Sequence, residues 1–347
     1  MIQKKFFVNN LSFRMLKFVI ALAILLPFVA CNGGSDDEEL VGNWVRLSSF
    51  DGNARAEAVV ATVEDYAYVG TGYNGEDRLK DFWRYDPENN HWTRIADFGG
   101  SGRTGAVAFE AGGKLFVGTG YDGTNRLNDF WKYDPATDVW TQVSSFPGSE
   151  RHGAVAFSID GIGYVGTGFD GNYLKDFYSY NPATDEWNIV LGYSGEKRRD
   201  AMAFVIDGKA YVVGGLNSGT FENDFYSYDP TSGTSGTWTK LAKISDATSE
   251  SFDDEYSIVR NNGVAFVMNG KGYITTGGKS STGTDVWEYN PTTDRWQEKQ
   301  EFEGAARMES VAFSINDIGY LALGRNSGYY FDDLYRFEPN SEYNEED

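Results

Sequence analysis

Apolar and polar residues alternate with period two along most of the chain, in runs of about five residues. Examples are AYVG at 67–70, LFVG at 115–118 and DFWKY at 129–133. Gly, Asp, Asn and Pro clusters separate the runs, and no helical period appears among them. The pattern predicts many short antiparallel strands joined by tight turns. A first strand is apolar and small, as in GAVAF at 105–109 and 153–157. Asp160-Gly161 and Asn269-Gly270 then signal hairpin turns. A second strand ends on a Gly that needs positive φ or close packing. A third strand alternates, and Asp134-Pro135-Ala136-Thr137 suits a type I turn. A fourth strand carries Trp.

This four-strand unit repeats. RLKDFWRYDPENNHWTRIADF (78–98) and RLNDFWKYDPATDVWTQVSSF (126–146) are versions of one segment. Each unit opens on an Arg (55, 103, 151, 198, 260, 307), followed by an aromatic (68, 116, 164, 211, 273, 320) and a Gly (72, 120, 168, 215, 277, 324). An Asp follows (81, 129, 176, 224, 285, 333), then a Pro (87, 135, 182, 230, 291, 339). Trp92, Trp140, Trp187, Trp238 and Trp296 complete five units. The sixth Trp is Trp44, within GNWVRL at 42–47, at the opposite end of the chain. The sixth unit lacks a fourth strand and the chain begins with an orphan one. The expected fold is therefore all-β: a six-bladed propeller over 43–339, closed by an N-terminal strand that completes the last blade and leaves no open sheet edge.

The ordered set of Arg, aromatic, Gly, Asp, aromatic-Asp-Pro and Trp resembles the Kelch repeat, and the resemblance spans nearly all of 43–339. It departs where the family's diglycine, intact at Gly214-Gly215 and Gly277-Gly278, becomes Gly-Thr-Gly in the first three units and Leu323-Gly324-Arg325 in the sixth. Some propellers of the galactose-oxidase kind are copper oxidases that use two His, two Tyr and a Cys–Tyr cross-link. This chain has two His and one Cys, and that Cys lies far from the repeats, so the resemblance does not extend to copper chemistry. Other propellers similar to this one are sugar epimerases with a buried Glu and Arg near the channel.

Residues 1–30 read as a signal peptide: Lys4, Lys5, Arg14 and Lys17 precede the apolar run Phe18–Ala30, with no acid among them. Met15 is an alternative start. The run is shorter than a spanning helix requires. Phe28-Val29-Ala30-Cys31 resembles a bacterial lipobox, although Phe28 departs from the usual Leu. Lipidation of Cys31 and an acidic tether over 31–42 are expected, with an acidic tail at 340–347. The run Asp36-Asp37-Glu38-Glu39 resembles a surface-export signal, so an outer-membrane, cell-surface location is expected through the lipid anchor.

Composition narrows the function. Aromatics make up 16% of the chain, enough to bury a core, and the single Cys excludes an internal disulfide framework. The net charge of −21 argues against nucleic-acid partners. No catalytic triad, phosphate loop or metal-ligand spacing stands out, so no catalytic residue, cofactor or metal is assigned. Calcium has no motif to support it. A residue present in all six units serves the scaffold more readily than a ligand, so asymmetric positions are the candidates. The position two after the repeat Arg varies: Glu57, Gly105, Gly153, Asp200, Asn262, Glu309. Glu57, Asp200 and Glu309, with Arg151 and His152, form the candidate ligand-facing set. The insertion at 241–259 adds Asp253, Asp254 and Glu255 as a candidate loop. The loops at 73–79, 121–127, 169–174, 216–222 and 325–331 offer aromatics and amides for binding. The expectation is a surface-anchored, non-catalytic module that engages a protein or glycan partner through propeller loops. The alternative is an enzyme of the sugar-acid isomerase or epimerase type that uses channel carboxylates and Arg.

Overall fold

The computed structural model describes residues 40–245, 258–279 and 281–344. Leu40–Asp347 forms one compact unit. Its described residues contain six four-stranded antiparallel sheets, two small hairpins and no helix. Blade 1 runs Val59–Val63, Tyr66–Gly70, Phe82–Asp86 and His91–Ile95, from the channel outward. Blades 2 to 5 repeat that order from inner strands Val107–Ala111, Val155–Ile159, Met202–Ile206 and Val264–Met268. The first strands begin two residues later than GAVAF suggests, because Gly105 and Gly153 take left-handed φ values of 57° and 64°. The hairpin turns behave as expected: Asp160-Gly161 and Asn269-Gly270 all have positive φ, which matches the twist of their strands. At Asp134, the backbone carbonyl accepts from Thr137 N–H at 3.2 Å and the side chain accepts from Ala136 N–H at 3.0 Å.

Blade 6 consists of Val311–Ile315, Ile318–Ala322, Leu334–Glu338 and, from the other end of the chain, Asn43–Arg46. Trp44 pairs with Phe337 across this seam. Its indole is fully buried, stacks on Phe337 at 4.5 Å and meets Phe302 edge-on at 5.0 Å. The ring thus closes as the repeat count requires, with the sixth blade completed to four strands like the others.

Aromatic pairs fill the blades. In five of them an inner-strand Phe stacks on its cross-strand aromatic partner at 5.1–5.4 Å, as in Phe109–Phe116 and Phe204–Tyr211. Outer-strand Trp residues stitch blades together. Trp140, Trp187 and Trp238 donate Nε1–H to the carbonyls of Ala96, Ser144 and Leu191 of the preceding blade, at 2.9–3.1 Å.

The repeat Arg occupies the same cradle in every blade. Arg103 is fully buried, forks onto Asp129 at 2.6 and 2.9 Å, and donates to the carbonyls of Thr119 at 2.9 Å and Ser101 at 3.0 Å. Phe98 lies under the guanidinium at 4.8 Å. The pairs Arg55–Asp81, Arg151–Asp176, Arg198–Asp224, Arg260–Asp285 and Arg307–Asp333 repeat it. Burial alone would raise Asp81 and Asp129, but the guanidinium outweighs it and holds both carboxyls below their ordinary range.

Because Trp44 seals the ring, Trp44→Ala is expected to lower stability by about 3–5 kcal/mol. Deletion of 41–49 is expected to cost more and to lower the melting temperature of the whole ring. Thermal and guanidinium denaturation read both effects. An unchanged melting temperature after the deletion would contradict the closure.

Candidate functional site

At one end of the ring the inner strands begin and the second strands stop. Each blade places a three-residue ladder there, set by isolated β-bridges: Ala56–Tyr73–Arg78, Thr104–Tyr121, which continues to Arg126, and His152–Phe169–Tyr173. Arg199–Leu216, Asn261–Gly278–Thr282 and Met308–Arg325 follow in blades 4 to 6. Two short hairpins extend this rim, and one of them pairs Arg325 with Tyr330. The backbone is the same in each blade while the side chains differ, so a symmetric scaffold carries an asymmetric mouth.

The next residue of each inner segment is the one that varies from unit to unit. Glu57, Gly105, Gly153, Asp200, Asn262 and Glu309 all have φ between 53° and 64°. Their amides link neighbouring blades around the channel. Asp200 N–H donates to Gly153 O at 2.8 Å, Asn262 to Asp200 O at 3.1 Å, Glu309 to Asn262 O at 2.9 Å and Glu57 to Glu309 O at 3.0 Å. Gly153 N–H closes a fifth seam onto Gly105 O at 2.9 Å. Glycine meets this geometry without strain, as blades 2 and 3 show. A side chain here costs about 1 kcal/mol or more. Four blades nonetheless carry one, and three of the four are acids.

Those acids converge on two adjoining cavities. One, of about 320 Å³, is walled by Glu57, Tyr73, Arg78, Tyr121, Glu309 and Tyr330. The other, of about 460 Å³, lies over the channel and includes Arg199, Asp200, Asn262 and Met308. Glu57, His152, Glu309 and Arg325 border both. Below them the channel is lined by small residues such as Ala58, Ala106, Ala154, Ala201 and Ser310, which leave a space of about 190 Å³.

The charges fall into distinct classes. Glu309 is 7% exposed and forms a bidentate pair with Arg325 at 2.5 and 2.8 Å. Burial pushes the Glu57 carboxyl up, and the neighbouring Glu309 pushes it further. Asp200 is pushed up to about 7, by burial first and by Glu57 and Glu309 next, although Arg199 Nε lies 3.2 Å from Oδ2. His152 is pushed down to about 4 by burial and by Arg199 and Arg126, so it is neutral at pH 7. Arg199 Nη1 lies 3.3 Å from His152 Nε2. At neutral pH the mouth therefore combines an acid that can donate a proton, carboxylates that accept, and guanidinium donors.

Of the residues chosen from the sequence, Glu57, His152, Asp200 and Glu309 come together here. Arg151 does not. Its side chain is fully buried against Asp176 at 2.6 Å, over the Phe146 ring, and it serves the blade. Asp253, Asp254, Glu255 and Cys31 lie outside the described residues. The variable loops supply the rim as expected. Single-residue reasoning missed Arg78, Arg126, Arg199 and Arg325 within or beside them. Aligning the units by their bridge positions would have isolated these residues, because Arg78 and Arg126 fill equivalent places in successive blades.

Comparison with known families and structures agrees with this geometry. Residues 49–198 match the KLHDC2/KLHL20/DRC7 Kelch-repeats domain, and residues 197–245 match the Kelch motif. The chain belongs to the Kelch-repeat β-propellers. A solved structure titled "Structure of YjhT" superposes with a TM-score of 0.71 at 20% identity, covering 83% of this chain and 95% of that one. At that identity the likeness concerns the fold. No curated protein sequence matches significantly.

Burial of Asp200 makes stability depend on pH. The carboxyl is neutral in the fold up to about pH 7 but ionises near 3.8 when exposed. Its contribution is complete below about pH 4 and is lost as pH rises to 7. Asp200→Asn removes that slope, so the wild type is expected to lose roughly 1–2 kcal/mol against the variant between pH 5 and 7. Urea midpoints at the two pH values read this. Parallel losses in both proteins would contradict it.

Proposed function

We propose that this Kelch propeller is a binding module whose ligand is a glycan seated in the mouth of the channel. The observation that carries the reading is the set of Glu57, Asp200 and Glu309. All three sit at left-handed backbone positions that glycine fills in blades 2 and 3, and all three face adjoining cavities. Concave sites of several hundred Å³ with a few convergent polar groups suit small polar ligands better than flat protein surfaces. Aromatic rings along the rim suit the CH faces of sugars, while the acids and guanidinium groups suit hydroxyls. Kelch propellers commonly act as interaction modules, and binding at the loops of one end fits that role. Anchoring through lipidated Cys31 at the cell surface belongs to the same proposal and rests on the lipobox-like sequence.

A second reading is favoured by Asp200 alone. A carboxyl held near 7 across the mouth from Glu57, both lining one cavity, supplies groups able to give and take protons, which is the equipment of an isomerase or epimerase acting on a sugar acid. Conversion of a bound sugar by the wild type but not by Asp200→Asn would establish that reading over simple binding.

Glu57→Gly is the informative variant, because glycine is already used at this position in two blades. It is expected to keep or raise stability by about 0.5–1 kcal/mol while weakening glycan binding about tenfold or more. Calorimetry against a panel of oligosaccharides tests this, and full retention of binding would contradict it. For the anchor, Cys31→Ala is expected to move the protein from the membrane to the soluble fraction of expressing cells. Unchanged membrane association would contradict lipidation.

A further inference from the structure

The chain carries 51 acidic and 30 basic side chains, yet three guanidinium groups packed on aromatic rings gather at the mouth, two of them without a carboxylate partner among the described residues. Arg78 lies between the rings of Tyr73 and Tyr121, at 5.3 and 5.1 Å. Arg126 lies over Phe169 at 5.1 Å, and Arg199 over the same ring at 5.2 Å and over Tyr173 at 5.9 Å. Neither Arg78 nor Arg126 pairs with a carboxylate among the described residues, and the Nε atoms of all three arginines are buried without a hydrogen-bond partner. The six scaffold arginines differ: each pairs with an Asp, four of them through a two-point fork. Aromatic faces hold these guanidinium groups in place, and packing through the π-face leaves the in-plane donors of Arg78 and Arg126 unused by any carboxylate among the described residues. Glu309 is already neutralised by Arg325. Three guanidinium groups thus stand along the wall from blade 1 to blade 4, on a protein whose net charge is negative.

The rings form an arc in which Arg78 bridges Tyr73 and Tyr121. Tyr330 meets Tyr73 at 6.1 Å, Tyr121 meets His152 at 6.0 Å, His152 meets Phe169 at 5.7 Å, and Phe169 meets Tyr173 at 5.0 Å. The arc crosses blades 6, 1, 2 and 3 and borders both cavities, which share a wall. One sugar ring covers one aromatic face. An arc of this length serves several.

We infer that the mouth takes an oligomeric glycan bearing acid groups, with its anions on Arg78, Arg126 and Arg199 and its hydroxyls on the inner carboxylates. The inference rests on the glycan reading above and deepens it. Carboxylate and sulfate groups share the chemistry that a guanidinium fork recognises, so the source of the charge is left to experiment.

The test uses residues 40–347, which contain the closed ring, and calorimetry at two salt concentrations. The probes are a trigalacturonate, a sulfated trisaccharide, a neutral trisaccharide and galacturonic acid alone. One of the charged trisaccharides is expected to bind about tenfold or more tighter than the neutral one. It is also expected to bind at least about tenfold tighter than the single sugar acid and to weaken with salt. Whichever charged trisaccharide binds tighter identifies the anionic group. The Arg78→Gln, Arg126→Gln double variant is expected to lose about tenfold or more of that affinity, and with it the preference for the charged over the neutral trisaccharide. Arg78→Lys, which keeps the charge without the fork, is expected to fall between. Equal binding of neutral and charged trisaccharides, or an indifferent double variant, would overturn the inference. So would a single sugar acid that binds as tightly as the trimer. If neutral binding persists and depends on Glu57, the glycan reading survives without the inference. If no oligosaccharide binds, both fall.

Discussion

Every blade depends on a buried guanidinium held by a carboxylate and two backbone carbonyls, and in five of the six blades an aromatic ring lies against it among the described residues. The Asp neutralises the charge, the ring shields it, and the carbonyls take the remaining donors. A buried charge is tolerated only with such complete pairing, and removing one partner of a buried pair typically costs about 3–5 kcal/mol. The clamp also shapes the site. One carbonyl it holds belongs to Thr71, Thr119, Thr167, Gly214, Thr276 or Leu323, the corner from which each rim loop departs. Five of the six corner residues hold φ of 56–63° with a side chain present, Gly214 joins them at 68°, and the Gly after each corner is also at positive φ. The ion pair therefore fixes the direction in which the loops leave the blade.

On this repeated frame, function is written in the differences. The left-handed ring position is Gly in blades 2 and 3 and acidic in blades 1, 4 and 6. The rim position is Tyr, Tyr, Phe, Leu, Gly and Arg in turn around the ring. Blades 6, 1, 2 and 3 carry the rings and blade 4 contributes Arg199, so the mouth has a polar, aromatic side. Buried acids lie on the inner segments, and Arg78 and Arg126, without carboxylate partners among the described residues, stand on the rim loops. This order lets a ligand meet positive charge at the entrance and acceptors within, in a protein whose overall charge repels anions.

The fold was legible because repetition exposes it. Six copies of Arg, Asp and Trp at matching offsets define the blades, and the stray Trp44 marks where the ring closes. The convergence of Glu57, Asp200 and Glu309 at the channel mouth was also legible, as a variable place two residues after an invariant Arg. Arg151 shows the limit of that reasoning: its neighbour His152 reaches the mouth, while its own side chain turns into the blade to meet Asp176. One residue of register separates scaffold from site, and sequence alone does not say which way a side chain faces. The unpartnered state of Arg78 and Arg126 was hidden for a similar reason, since the chain holds ample acids nearby in sequence, such as Glu76, Asp77 and Asp122. Asp122 instead accepts from the amides of Thr124 and Asn125 in its own turn.

The central claim is that the asymmetric mouth, with its strained acids and its aromatic–guanidinium arc, is where this propeller meets its ligand. A crystal structure of residues 40–347 grown with an acidic trisaccharide tests it most directly. The account predicts density in the two adjoining cavities, with an anionic group on Arg78 or Arg126 and hydroxyls within hydrogen-bond distance of Glu57 or Asp200. Density at the opposite end of the ring, or along the outer strands with the mouth empty, would contradict it.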